Sequence, residues 1–399
     1  MDISINNQKL YTLNLTITEK CNLKCLHCGA DNNCNSIKKS KNWIELSAKE
    51  YFKVLDEAKK IGCRHIIISG GEPFLNDDIW SILEKINKLN MSCAILTNGT
   101  LINKSVAKKL STFPNISYVR ISLDYKDNNL MEKFRGIKNL VNKVFEAVKV
   151  LNDFNVKSAI GMTIMPDNID HIKPIAEMAK EAGVSFFRAI PIMPIGRAKN
   201  TVIDTDFYSK ALIAMLKLAE EHQNYYLGTT FLPKNLKDAS YEFIIQCPGG
   251  EKSIYLSAYG HLSRCPLTPV DFSKSTIREE SFINLLKSQV EKKNIEKDII
   301  INDKNHSCGN CKQKNKCYGG CLAECDARFN QIKPIQPICI KEVWEKALSQ
   351  MDNTPRLRKT INNLLILNST IKSSGTDFCY RSLPIWWIAY PKNLDVYTQ

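Results

Sequence analysis

Cys21, Cys25 and Cys28 fall within eight residues, close enough for one loop to wrap a metal ion or a small cluster. Three thiolates satisfy three irons of a cubic 4Fe–4S cluster and leave the fourth without a protein ligand, whereas closed ferredoxin sites take four cysteines. An open metal position marks a site where a small molecule joins the metal. A zinc site is the alternative that these three residues alone leave standing.

A second set lies far downstream. Nine of the fifteen cysteines fall between Cys247 and Cys379. The stretch from Met1 to Leu10 is polar and carries no signal-peptide core, so the cytoplasm is the expected location and metal ligation, not disulfide bonding, the expected use of the thiols. A zinc ribbon built from Cys308, Cys311, Cys317 and Cys321 is the simpler structural alternative there. Cys63 and Cys93 sit beside or within apolar runs and read as small buried residues. Cys34 and Cys379 have no assignment.

The elements that must position the first loop follow a regular rhythm. Tyr11 to Thr18 alternates as a strand and delivers the cysteines at its end. Ser47-Ala48-Lys49-Glu50 is a capping box opening a helix that ends near Gly62. Further strands are expected at Arg64–Ser69, Ser92–Thr97, Ser117–Leu123, Lys157–Ile164 and Ser185–Ile190. Helices are expected over Asp77–Leu89, Asn103–Ser111, Asn139–Asp153, Ile169–Ala182 and Asp206–His222. Alternation of this kind implies a parallel sheet with helices outside it. Six such units fit an α/β fold, a partial (β/α)6 TIM-like barrel with its chemistry at the carboxyl ends of the strands.

The short motifs lie at those ends. Ser69-Gly70-Gly71-Glu72-Pro73 follows the second strand; two glycines allow close backbone approach to a ligand, and the carboxylate suits an ammonium group. Thr97-Asn98-Gly99 ends the third strand, where a plain turn is equally natural. Ser122-Leu123-Asp124 ends the fourth and Lys133-Phe134-Arg135-Gly136 follows it. Thr163 and Arg188 end the fifth and sixth. Gly196-Arg197-Ala198 comes next.

With His27 in the aromatic position of C-x3-C-x-aromatic-C, the chain resembles the radical S-adenosylmethionine (SAM) superfamily from about Tyr11. The spacing Cys247-x12-Gly260-x4-Cys265, then Cys308-x2-Cys311-x5-Cys317-x3-Cys321 and later Cys339, resembles the SPASM extension of such enzymes. The resemblance implies SAM bound to a 4Fe–4S cluster on Cys21, Cys25 and Cys28, with Gly70, Gly71, Glu72 and Pro73 near its amino group. It places Asn98, Ser122, Asp124, Arg135, Thr163 and Arg188 as further contacts. It also implies two auxiliary 4Fe–4S clusters, the first on Cys247, Cys265 and Cys321 with Cys325 as a spare ligand, the second on Cys308, Cys311, Cys317 and Cys339. The implied activity is reductive cleavage of SAM to a 5′-deoxyadenosyl radical that abstracts hydrogen from substrate, an oxidoreductase chemistry. Its expected partners are a one-electron donor such as flavodoxin or ferredoxin, and a peptide or small-molecule substrate.

Modification of a ribosomally made peptide is the leading expectation for that substrate, with a tetrapyrrole or other small molecule behind it. An iron–sulfur electron-transfer protein is the non-enzymatic alternative. The short stretch before Tyr11 leaves little room for the leader-binding domain that many peptide-modifying relatives carry there. That counts against the peptide reading without excluding it, because a separate leader-peptide-binding protein can do that recognition. A formal charge of +14 admits an acidic partner, but no recognition motif for nucleic acid accompanies it, and no apolar run reaches the roughly 18 residues of a membrane span. Three regions are expected: the barrel at 1–230, the auxiliary-cluster domain at 231–350 and a tail of unknown role at 351–399. A helix over Val343–Met351 is expected to cover the second auxiliary cluster.

Overall fold

The short runs become parallel strands whose helix-covered face is apolar, as in Leu13 and Leu15 of the first run and Val119 and Ile121 of the fourth. The computed structural model describes residues 10–29, 44–221, 227–229, 249–268, 275–302, 309–311, 339–351 and 387–388. In chain order the barrel elements are β1 (Thr12–Thr16), α1 (Ala48–Lys60), β2 (His65–Ser69), α2 (Ile79–Lys88), β3 (Ser92–Thr97) and α3 (Lys104–Leu110). Then come β4 (Ile116–Ser122), α4 (Asn128–Arg135), α5 (Leu140–Asp153), β5 (Ser158–Ile164), α6 (Ile172–Glu181), β6 (Phe186–Pro191), α7 (Thr205–Glu221) and β7 (Leu227–Thr229). Strands β1 to β7 are consecutive neighbours in one sheet. That singly wound order is the partial TIM-like barrel expected from the rhythm of the sequence.

The helix-facing side of the sheet, including Leu13, Leu15, Ile66, Ile68, Ile95, Val119 and Ile121, joins Tyr51, Leu55, Leu83 and Leu151 of the helices in the main core. Each such large side chain, fully buried, contributes about 1.5–3 kcal/mol. The opposite face carries a separate small cluster of Ile67, Ala94, Tyr118 and Ala159. The amino ends of the strands form a polar floor, where His65 pairs in register with Thr12 and Ser92 and its Nδ1 lies 2.7 Å from Ser92 Oγ.

The capping box forms at α1, where Ser47 donates through both N–H and Oγ to Glu50 Oε2, at 2.8 and 2.7 Å. Glu50 also takes Arg278 Nε at 2.6 Å, and this contact pushes its pKa down to about 2. The short α4 is not anticipated by the sequence pattern. It is nucleated by Asp127, whose Oδ1 caps Asn129 N and Leu130 N at 2.8 and 3.0 Å, and it stops at Gly136 with φ 79°.

The sheet continues past residue 230. Strand β8 (Ser253–Leu256) runs parallel to β1, pinned by Asn14 Nδ2 donating to Ser253 Oγ at 3.0 Å, and folds back antiparallel as β9 (Leu262–Ser263). Helix α8 (Phe282–Asn302) and helix α9 (Ile340–Ser349) follow, and β10 (Trp387–Ile388) pairs antiparallel with β7. The described contacts of α9 are with the barrel: Val343, Trp344 and Ala347 are fully buried, Ser209 Oγ of α7 donates to Val343 O at 3.0 Å, and Lys346 pairs with Asp206. Cys63 and Cys93 are buried as expected, and burial raises both thiol pKa values, Cys63 to about 12. Cys34 and Cys379 lie outside the described residues. Among the described residues no helix is long and apolar enough to cross a membrane.

Candidate iron–sulfur and SAM site

The loop carrying Cys21, Cys25 and Cys28 leaves the carboxyl end of β1 and is held from four directions. The first is the Gly-Gly-Glu segment. Gly71 N donates to Thr18 O at 2.8 Å and Glu72 N to Lys20 O at 2.7 Å. A Cβ on Gly71 would stand 2.3 Å from Lys20 O, and one on Gly70 2.6 Å from Thr18 O. Both glycines therefore let β2's end approach the chain's own backbone just ahead of Cys21, a constraint that spacing alone does not reveal.

Glu72 continues that contact sideways. Its buried carboxylate takes Thr97 Oγ1 at 2.7 Å, Phe74 N at 3.3 Å and Asn98 N at 2.8 Å, which ties the loop after β2 to the end of β3. Burial raises its pKa, opposed by these donors. A carboxylate has about four acceptor positions, and among the described residues these donors take two on Oε1 and one on Oε2. Pro73 opens a single 3-10 turn after it.

The second grip is a ring of amides and hydroxyls. Asn98 Nδ2 donates to Asn22 Oδ1 at 2.8 Å, Asn22 Nδ2 to Thr100 Oγ1 at 2.8 Å, and Thr100 Oγ1 to Asn98 Oδ1 at 2.6 Å. The side chain of Asn98 is thus turned onto the cysteine loop.

The third grip is the end of α4. Lys24 N donates to Arg135 O at 3.2 Å and Leu26 N to Phe134 O at 2.8 Å, and the His27 ring stacks on Phe134 at 4.6 Å with 5° between planes. Desolvation pushes the His27 pKa down to about 4, so at neutral pH the imidazole is an uncharged flat cover. Arg135 Nη1 donates to Cys25 Sγ at 3.6 Å while its Nε donates to Asp124 Oδ2 at 2.6 Å.

The fourth grip follows β6. Arg197 donates through N to Cys28 O at 3.0 Å and through Nε to Cys25 O at 2.6 Å. Gly196 has φ 59°, and a Cβ there would stand 2.1 Å from Cys28 O. Ile195 beside it bridges two regions, lying against Gly29 and packing with Met193 and Cys265.

Cys25 is buried, Cys28 half-buried and Cys21 exposed. Desolvation raises the pKa of Cys25, opposed by Arg135, and raises that of Cys21, opposed by the Leu23 N–H; the thiolates of the loop repel one another. Three thiols on one short loop, two of them with an N–H donor at sulfur, fit a cluster ligand set that gives up its protons when iron binds. Among the described residues no set of His, Cys, Asp or Glu converges as ligands of one metal ion do. Thiolates that each take a different iron of a cube need not meet at one point.

The remaining residues divide into two groups. Asp124 is fully buried, and besides Arg135 it accepts Thr163 N at 2.8 Å; like Asn98 it braces the protein. Ser122 and Arg188 are both register partners of Gly161, and Thr163 lies two residues beyond it on the same face, so these three line one side of the sheet near its carboxyl edge. Cys265 is buried with its Sγ 3.2 Å from Thr268 Oγ1, Cys339 caps α9, and Cys311 is half-buried. Cys247, Cys308, Cys317, Cys321 and Cys325 lie outside the described residues. The contacts of Asn22, Thr97, Thr100, Phe134 and Arg197 were not anticipated; Arg197 carried a signal only in its Gly-Arg-Ala setting.

Residues 15–179 match the Radical SAM superfamily. The antilisterial bacteriocin subtilosin biosynthesis protein AlbA of Bacillus subtilis is 27% identical over 68% of this chain and 58% of its own length, so a little over half of that relative is spanned. An AdoMet-dependent heme synthase of Methanosarcina barkeri is 25% identical over 83% of this chain and 96% of its own. The crystal structure of Streptococcus suis SuiB bound to S-adenosylmethionine superposes with a TM-score of 0.67, at 18% identity, over 83% of this chain and 77% of that one.

Proposed function

This chain belongs to the radical SAM superfamily through residues 15–179, and from that premise we propose that it is a radical SAM/SPASM oxidoreductase that modifies a ribosomally made peptide. The observation that carries the radical chemistry is the Cys21–Cys28 loop, gripped by the segments after β2, β3 and β6 and by the end of α4, with a guanidinium on one cysteine sulfur. When bound, a 4Fe–4S cluster supplies the low-potential electron that cleaves SAM to a 5′-deoxyadenosyl radical, which takes hydrogen from substrate.

The chain's own groups do the positioning. Cys21, Cys25 and Cys28 give the three thiolates. Glu72 offers its remaining lone pair to the SAM ammonium, beside the backbone of Gly70 and Gly71. Ser122, Thr163 and Arg188 are the contacts on the inner side. The His27 ring stacks on Phe134 and so fixes the end of the loop against α4. Downstream, Cys247, Cys265 and Cys321 with Cys325, and Cys308, Cys311, Cys317 and Cys339, hold two auxiliary 4Fe–4S clusters. The electron is drawn from a flavodoxin or ferredoxin.

The peptide reading is supported by the match to AlbA and by the likeness to SuiB, which has also been solved bound to precursor peptide SuiA. A tetrapyrrole substrate is the second reading, favoured by the heme synthase match over nearly that relative's full length. Anaerobic incubation with SAM and reductant decides between them. Deoxyadenosine formation stimulated by a short peptide encoded beside this gene, with a mass change in the peptide, supports the first. Stimulation by an iron tetrapyrrole and not by the peptide overturns it.

A further inference from the structure

The Asp124–Arg135–Cys25 chain has a shape that packing does not require. Arg135 is nearly fully buried, and a guanidinium stays charged in proteins. A buried charge needs a partner, and Asp124 supplies it through Nε at 2.6 Å and Nη2 at 2.5 Å. That pairing leaves Nη1 directed at Cys25 Sγ, 3.6 Å away. The Arg135 carbonyl takes the N–H of Lys24, the residue before that cysteine. Asp124 is fixed in turn by Thr163 N on Oδ1 at 2.8 Å and by Asn168 Nδ2 on its carbonyl at 3.1 Å.

Resting on the reading of the loop as a cluster site, we propose that Arg135, offset by Asp124, sets the reduction potential of the cluster held by Cys21, Cys25 and Cys28. One electron from an external donor makes the cluster one unit more negative, with no bond made or broken. A cation and an N–H donor at one of its sulfurs favour that reduced state, since hydrogen bonds to the sulfurs and net local charge are the protein's means of tuning such potentials. Asp124 opposes this and keeps the cluster a strong reductant. Arg135 acts through Cys25 and is a positioning and tuning residue.

The two partners should therefore shift the potential in opposite directions, which a purely structural role does not do. The test is an anaerobic potentiometric titration of the reconstituted full chain, following the paramagnetic signal that responds to SAM, with iron and sulfide content measured in parallel. Arg135→Gln should lower the reduced-to-oxidised ratio at a fixed poise about tenfold, equal to about 59 mV for one electron. Asp124→Asn should raise it by a similar factor. Potentials unchanged within twofold, or moving the same way in both variants, overturn the proposal. If Arg135→Gln fails to hold iron, Arg135→Lys and Asp124→Asn decide, and an unchanged potential in Asp124→Asn overturns it. Failure of the underlying reading shows elsewhere: Cys25→Ala then binds as much iron as the wild type.

Discussion

Asn98, at the end of the third barrel strand, donates through Nδ2 to Oδ1 of Asn22, one residue into the cysteine loop, at 2.8 Å. Asn98 also accepts from Thr100 N and Oγ1 at 2.9 and 2.6 Å, so one buried side chain joins loop and barrel. Asn98→Ala leaves Asn22 and Thr100 without these partners, and a lost buried hydrogen-bond partner costs about 1–3 kcal/mol. Asn98→Ala should lower the urea midpoint accordingly and release iron faster to a chelator. Wild-type stability and iron retention together would show that the ring is ornamental.

Gly71 and Gly196 clamp the loop at its two ends. A methyl group at Gly71 meets the Lys20 carbonyl at 2.3 Å, and one at Gly196 meets Cys28 O at 2.1 Å from a φ of 59°. Backbone cannot yield as a side chain does, so Gly71→Ala and Gly196→Ala should each cost about 2 kcal/mol or more and lower iron content. Gly161→Ala is the comparison, because its nearest neighbour is the side chain of Arg120 at 3.1 Å. It should cost clearly less in thermal unfolding. Equal costs at all three positions would contradict the clamp.

His65 makes the floor of the barrel sensitive to acid. It is buried, and desolvation pushes its pKa from 6.5 to about 4. The unfolded chain therefore takes up this proton first as pH falls. The stability tied to neutral His65 is complete above pH 6.5 and is lost on the way to pH 4, by about 3 kcal/mol in total. Unfolding measured between pH 7 and 4 should fall more steeply for the wild type than for His65→Asn. Parallel curves would refute the assignment.

The barrel was legible because most strands are short runs with apolar residues on alternate positions and the longer helices are amphipathic, so Ser92–Thr97 and Leu140–Asp153 stand within a residue of expectation. Helix α4 was missed because its eight residues hold few apolar positions and its start depends on the Asp127 cap. The cysteine loop and Glu72 stood out through residue type and spacing. What those residues touch did not, because it depends on contacts between distant residues, such as the 172-residue separation of Arg197 from Cys25. For Asn98 and Asp124, expected as contacts for a small molecule, the structure adds partners within the protein, Asn22 and Arg135. Pleat and register explain the placing of Ser122 and Arg188, both register partners of Gly161, but register could be read only once the strands were paired.

The most direct test of the central claim compares iron, sulfide and SAM cleavage, all anaerobically, in the wild type and in Cys21→Ala/Cys25→Ala/Cys28→Ala. Loss of about four irons per chain, as one cubic cluster holds, with deoxyadenosine formed by the wild type alone, is the predicted result. Unchanged iron content, or deoxyadenosine formed equally by the triple variant, would contradict the assignment of this loop as the radical-generating site.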